Sequence, residues 1–501
     1  SQEAMSQILR VILWGEEIGR LSWDSRRHNA YFIFNPAFVS KGLDVAPLVA
    51  PLNSIDTMKP LWGEDAKMYQ RLPAFLADSL PDAWGNQLFE FWRTSNRLSP
   101  SEVTPLEKLS FIGKRGMGAL EFEPETSSTG KNDKVDMGAL VSLAQRIFSE
   151  RENARIMPDE SLTMQSLLAV GTSAGGRQPK AIVAINDKTG EIRSGQIGGL
   201  ESYTYCIIKF GDEKYCSAEL EQTYYELAVD AGIRMMPSRL IEIDGQRHFL
   251  TERFDRQNGE KLHTQTLAAL CPEADNYEKL MWVCRKLHTP ECDCEEVFRR
   301  MVFNHLMNNT DDHNKNFAFT MDREGNWRLS PAYDITYIID VGGFLPCRHH
   351  CLYMRAKLAD VTKEDLLAFA KDNGIRRAES IIRTVAEVAQ KFRTIATRNH
   401  VSQEWIGRVE TCLRERLAAW GFGEAVVCAE FTTAEGITVA NAHLKQAYKG
   451  NIHLLATIDG EERKYVIRPK SPTYDELTPT GLGNVSEEQI KTLVLKTFLT
   501  Q

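Results

Sequence analysis

The chain of 501 residues is 43% hydrophobic and 26% charged, a globular composition that suits about two to four packed units. A formal net charge of −8 excludes a free-standing DNA binder built on an overall basic surface, because non-specific affinity for phosphate needs clustered positive charge. There is no run of 18 or more apolar residues and no basic-then-apolar leader, and the ten cysteines are scattered, so a soluble, cytoplasmic protein with reduced thiols and no membrane partner is expected.

In chain order, the aromatic and β-branched runs 8–14 and 31–34, separated by Gly15, Gly19 and the polar stretch 24–29, predict a β-rich start that opens on a hairpin. Residues 124–134 are poor in apolar side chains and rich in Ser, Thr and Gly, the composition of a linker. Beyond them the pattern predicts a helix over 137–148, a Gly-rich turn over 171–176, strands over 181–185 and 205–210, a helix over 218–231 and a strand over 239–251. Apolar residues recur at three and four through 277–306 and 362–421, with Ile381, Ile382, Val385, Val388, Phe392 and Ile395 on one face. Thr362 followed by Asp365 marks one helix start. Residues 453–458 and 464–468 around Asp459 and Gly460 predict a hairpin within a small α+β appendage.

The chemistry concentrates in NNTDDHNKNFAF, residues 308–319. Asp311 and, five positions on, Asn316 have the spacing of a phosphoryl-transfer loop, in which the carboxylate orients or deprotonates the attacking hydroxyl and the amide oxygen coordinates Mg²⁺. A predicted hairpin over 317–329 then carries the chain to Asp334, placing a second metal-binding carboxylate beside that loop. The flanking residues are Tyr333 and Ile335, so the kinase pattern matches in role and order but not in letters. Asp312 is also a carboxylate; the spacing favours Asp311 as the base. Lys209, near a strand end, and Glu221, early on the next helix, have the order of the ion pair that steers ATP phosphates. The run GTSAGGRQPK, residues 171–180, has glycines that let backbone N–H groups approach phosphate, but Arg177 stands where a Walker A loop needs Lys, which rejects a P-loop NTPase.

Together these segments resemble the HipA family of bacterial kinases, several of which are toxins of toxin–antitoxin pairs. SLPDAWG (79–85), IGKRGMGALEF (112–122), GTSAGGRQPKA, IIKF ending at Phe210, TERFDR (251–256), TDDHNKNF and SPAYD carry the likeness across about 8–420. The resemblance implies an α+β, protein-kinase-like two-lobe fold, divided into an N-terminal subdomain (1–125), a small lobe with the Gly-rich loop (135–255) and a helical catalytic lobe (256–425); the α+β extension over 426–501, of unknown role, runs past the usual helical end and has no counterpart in the resemblance. It makes Asp311 the catalytic base with His313 beside it, and Asn316 and Asp334 the Mg²⁺ ligands. Lys209, Glu221, Tyr333 and the run Gly175, Gly176, Arg177, Gln178 and Lys180 would bind ATP, with Glu252, Arg253 and Phe254 at the adenine hinge. Ser173 matches a serine that family members autophosphorylate, with Thr172 as its neighbour. The implied partners are a protein substrate and a HipB-like helix-turn-helix antitoxin, through which alone DNA would be met.

Other readings of the same residues are a small-molecule kinase and a nucleotide-holding regulatory module. Cys292 with Cys294, and Cys347 with His349, His350 and Cys351, carry zinc-binding residue types, but their spacing favours simple thiols. Trp84 reads as a packing anchor.

Overall fold

A computed structural model describes residues 7–95, 103–125, 136–150, 167, 178–194, 202–340 and 345–423, together with strand segments between 431 and 480. The opening residues form strands β1 (Ile8–Leu13), β2 (Glu16–Asp24) and β3 (Asn29–Phe34). β2 lies in the stretch where the sequence shows only an interruption. Its single glycine is required by close approach, since a Cβ on Gly19 would stand 2.3 Å from the Phe32 ring. With β4 (Leu61–Trp62) and β5 (Leu120–Glu123) these strands make an antiparallel sheet ordered β4-β3-β2-β1-β5.

A second sheet is ordered β7-β6-β8-β10-β9, from β6 (Lys180–Asn186), β7 (Ile192–Ser194), β8 (Tyr203–Lys209), β9 (Ser238–Ile243) and β10 (Gln246–Glu252). The single strand expected over 239–251 is two strands. Asp244 and Gly245, at φ 50° and 79°, supply the left-handed pair that a two-residue hairpin turn needs. Smaller pieces follow: β11 (Arg256–Gln257) with β12 (Glu260–Lys261), then β13 (His263–Thr266), β14 (Ala318–Met321) and β15 (Trp327–Leu329). The described part of 431–480 is a further five-stranded antiparallel sheet; the helical part expected there falls outside the described residues.

Among the described residues, the helices of seven or more residues are α1 (Ala83–Ser95), α2 (Pro105–Ile112), α3 (Met137–Glu150), α4 (Ser217–Asp230), α5 (Tyr277–Lys286), α6 (Glu291–Leu306), α7 (Lys363–Asp372), α8 (Ala378–Ala389), α9 (Phe392–Arg398) and α10 (Gln403–Ala419). Their apolar faces build one core from the first sheet through α4 to α10, and a second between α1, α3 and the β6–β8–β10 face. Trp84 is fully buried in the second core and donates its ring N–H to the Lys180 carbonyl at 3.1 Å, which makes it the expected anchor. Truncating such a residue to Ala costs about 3–5 kcal/mol.

The first sheet is stitched to the segment that follows β10. Asp255 is fully buried between Arg253 and Arg256 at 2.8–2.9 Å, accepts from the Gly118 N–H at 2.8 Å, and Arg256 donates to the Gly116 and Gly118 carbonyls. Lys261 reaches Glu121 at 2.9 Å, and the Asp78 carboxylate takes the Thr266 N–H and hydroxyl at 2.7 Å each. Two of the motifs noted in the sequence, 112–122 and 251–256, thereby meet in one buried ionic clasp.

Candidate active site

β6 and β8 pair so that Lys180 stands opposite Lys209, and opposed residues of an antiparallel pair share a face. The Lys209 ammonium is 2.9 Å from both Glu221 oxygens and also contacts Asp334. Burial works against the Lys209 charge, but Asp334 and Glu221 outweigh it and hold the ammonium above its usual range. The reverse balance applies at Asp334: burial would raise its carboxyl, while Lys209 and Lys180 keep it below the ordinary carboxylate range. Glu221, buried at the start of α4, is raised by burial, with Lys209 opposing. Asp334 is held at φ 54°, a left-handed backbone that Asp tolerates better than bulky residues do.

The loop after α6 separates its two adjacent carboxylates. The Asp311 side chain is 54% exposed, with the His313 ring nitrogen 3.8 Å away, and its backbone carbonyl accepts from the Asn316 amide at 2.6 Å. Asp312 turns inward, 1% exposed. It accepts from the Tyr277 hydroxyl at 2.5 Å and the Cys351 N–H at 2.8 Å, and lies 2.8 Å from His350 Nδ1. Burial pushes its carboxyl up to about 6, with His305 and the Tyr277 bond opposing. A buried carboxylate engaged on both oxygens cannot reach a substrate hydroxyl, so Asp311 is the one that faces outward. Asn309, bonded to Asn304, and Thr310, bonded to the Cys347 carbonyl at 3.0 Å, fix the rest of the loop.

Asn316 and Asp334 both line one small cavity, and an amide oxygen and a carboxylate are hard donors of the kind Mg²⁺ prefers. Tyr333 stacks on Phe254 at 5.7 Å and donates its hydroxyl to the Lys315 carbonyl at 2.7 Å. Glu252 is half-buried at the end of β10, whereas the Arg253 side chain is committed to Asp255 and leaves only its backbone at the hinge position. Gln178 donates to the Phe210 carbonyl at 2.9 Å. Ser173, Thr172, Gly175, Gly176 and Arg177 lie outside the described residues. A larger cavity of about 850 Å³ is lined by Phe210, Tyr215, Leu220, Tyr337 and Trp405 together with Glu221.

Neither cysteine pair gathers into a metal site among the described residues; the group that does assemble is His305, Asp312 and His350. The two imidazoles stack at 3.7 Å and 22°, and nearly parallel rings cannot aim their in-plane lone pairs at one ion, so this is a stacked ring pair hydrogen-bonded to Asp312 through His350. Sequence reasoning missed Asp82, whose carboxylate lies 3.5 Å from the Lys180 ammonium. It lies in the motif SLPDAWG, where a Pro-Asp pair before a helical run announces a helix cap and not an ionic partner 98 residues away.

The chain matches the HipA N-terminal domain over residues 9–123 and the HipA-like C-terminal domain over 172–396. The chain belongs to the HipA-like family. A Haemophilus influenzae protein named "Putative kinase" is 21% identical to this HipA-like chain over 311 residues, covering 53% of the chain and 89% of the relative. A Sinorhizobium fredii relative, "Putative kinase Y4dM", is 23% identical over 411 residues, covering 77% of the chain and 91% of the relative. Among solved structures, HipA in the Shewanella oneidensis complex of HipA, HipB and operator DNA shares the fold with a TM-score of 0.60. It is 19% identical and the match covers 83% of this chain and 98% of that one. Among the described residues, no helix is long and apolar enough to cross a membrane.

Proposed function

We propose that this HipA-like chain is a Mg²⁺-ATP-dependent kinase that transfers the γ-phosphoryl group to a serine or threonine of a protein. The observation that carries the reading is the Lys209 ammonium held 2.9 Å from Glu221 and against Asp334, beside a loop that presents Asp311 outward. In this reading the chain has a two-lobe kinase arrangement. Lys209 holds the nucleotide phosphates, the Glu252–Phe254 hinge faces the adenine, and Tyr333 supports that wall through Phe254. Asn316 and Asp334 would hold Mg²⁺, which supplies neutralisation of the phosphate charge. Asp311 orients the acceptor hydroxyl and takes its proton as the new O–P bond forms and the bond to the β-phosphate oxygen breaks, releasing ADP. His313 lies beside the base and Asn316 ties its backbone.

The remaining parts of the reading are autophosphorylation at Ser173, which would add charge to the Gly-rich loop, and a HipB-like antitoxin partner, supported by the solved relative's assembly with HipB and operator DNA. DNA is then reached through that partner, and an operator gel shift produced by the chain alone would contradict this. The catalytic assignment predicts that Asp311→Ala lowers phosphoryl transfer by about 10²–10⁴-fold while Mg²⁺-ATP still binds. Radiolabel transfer and phosphosite mapping check it together: the parental chain gains phosphate at Ser173 and the variant does not. Transfer by the variant at the parental rate would remove Asp311 from the mechanism.

A further inference from the structure

Lys180 and Lys209 are directly opposed across β6 and β8, and both are buried, at 2% and 7% exposure. Two like charges on one sheet face repel unless each has its own counterion. Lys209 has Glu221 and Asp334. Lys180 has Asp82, which comes from the N-terminal family domain, with a carboxylate oxygen 3.5 Å from the ammonium. Asp82 is itself fixed. The Gly85 N–H donates to its other oxygen at 2.7 Å, capping α1, and Trp84 next along donates to the backbone carbonyl of Lys180. One turn of chain thus grips the residue at both ends.

We propose that Asp82 is a positioning residue of the phosphate site, keeping Lys180 charged and aimed beside Lys209, so that the N-terminal domain completes the ATP site of the other domain. This rests on the kinase reading. A buried amine without a counterion sheds its proton, and a neutral amine is a poor phosphate ligand. Burial already lowers the Lys180 ammonium, and Asp82 is the first group that opposes this, followed by Asp334. In the kinase reading Asp334 is a Mg²⁺ ligand, which leaves Asp82 as the lysine's standing partner.

Asp82→Asn separates charge from structure, because asparagine caps a helix as well as aspartate does. Calorimetric titration should show Mg²⁺-ATP binding weakened about tenfold, ADP less, and adenosine unchanged, the last confirming an intact hinge. Asp82→Glu should recover part of the loss. In Asp82→Asn with Lys180→Met, binding should be no weaker than in Lys180→Met alone, because the carboxylate acts through that ammonium. Parental affinity in Asp82→Asn, or additive losses in the double variant, would overturn the inference alone. A parental chain that binds no Mg²⁺-ATP would overturn the kinase reading and this inference with it.

Discussion

Asp311 and Asp312 are neighbours in sequence with opposite fates, and the difference is one of solvation. The Asp311 side chain stays 54% exposed to water, on the side where an acceptor can approach. Asp312 enters a buried net of Tyr277, His350 and the Cys351 N–H, which ties the loop to the segment 345–358. Its carboxyl, pushed up to about 6 from 3.8, binds a proton more tightly in the folded chain than in the unfolded one. Folding stability from this group is therefore fully present below the unfolded value and falls as pH rises between about 3.8 and 6, by about 3 kcal/mol. Asp312→Asn removes that slope. Urea denaturation of parent and variant at pH 4.5 and 7 should show the parent losing stability relative to the variant on going to pH 7. Loss of the Asp312 charge also lowers the proton affinity of the adjoining His305 and His350, which can only steepen the rise of the variant's stability with pH and so acts in the same direction.

The elements were legible where local physics decides them. Ile381, Ile382, Val385 and Val388 are all buried along α8, and Thr362 and Asp365 form a reciprocal cap on α7, with the Asp365 N–H 3.1 Å from the Thr362 hydroxyl and the Thr362 N–H 3.0 Å from the Asp365 carboxylate. Thr362→Ala should lower thermal stability by about 1 kcal/mol and leave nucleotide affinity unchanged, since the cap sits far along the chain from the charged site. Calorimetry and titration on the same preparation check both halves. The reading failed at β2, where few apolar residues alternate and Gly19 looks like a breaker, although the Phe32 ring demands it. It also merged β9 with β10, because strand-like residues on both sides masked the Asp244-Gly245 turn.

At the scale of the whole molecule, the Arg253–Asp255–Arg256 clasp binds the first sheet to the hinge segment. Arg253 and Arg256 hold the Asp255 carboxyl far below its ordinary range against the pull of burial. Asp255→Ala leaves two buried guanidinium groups facing each other and should destabilise the fold by about 3–5 kcal/mol. Replacing all three residues by apolar side chains of similar volume should recover most of that loss in thermal melts. Failure of Asp255→Ala to lower the melting temperature would mean that the clasp contributes little to joining the two parts.

Residue type and spacing by themselves determined the helical stretches 137–148, 218–231, 277–306 and 362–421, strands such as β1, β3, β6 and β8, and the order Lys209, Glu221, Asp311, Asn316, Asp334, because each depends on neighbours a few positions away or on a motif with fixed spacing. Only the tertiary structure decided which of two adjacent carboxylates faces solvent, that Arg253 is spent on Asp255, and that Asp82 stands by Lys180. Those outcomes depend on burial and on charges brought together from positions as far as 98 residues apart, and neither quantity is written in local pattern.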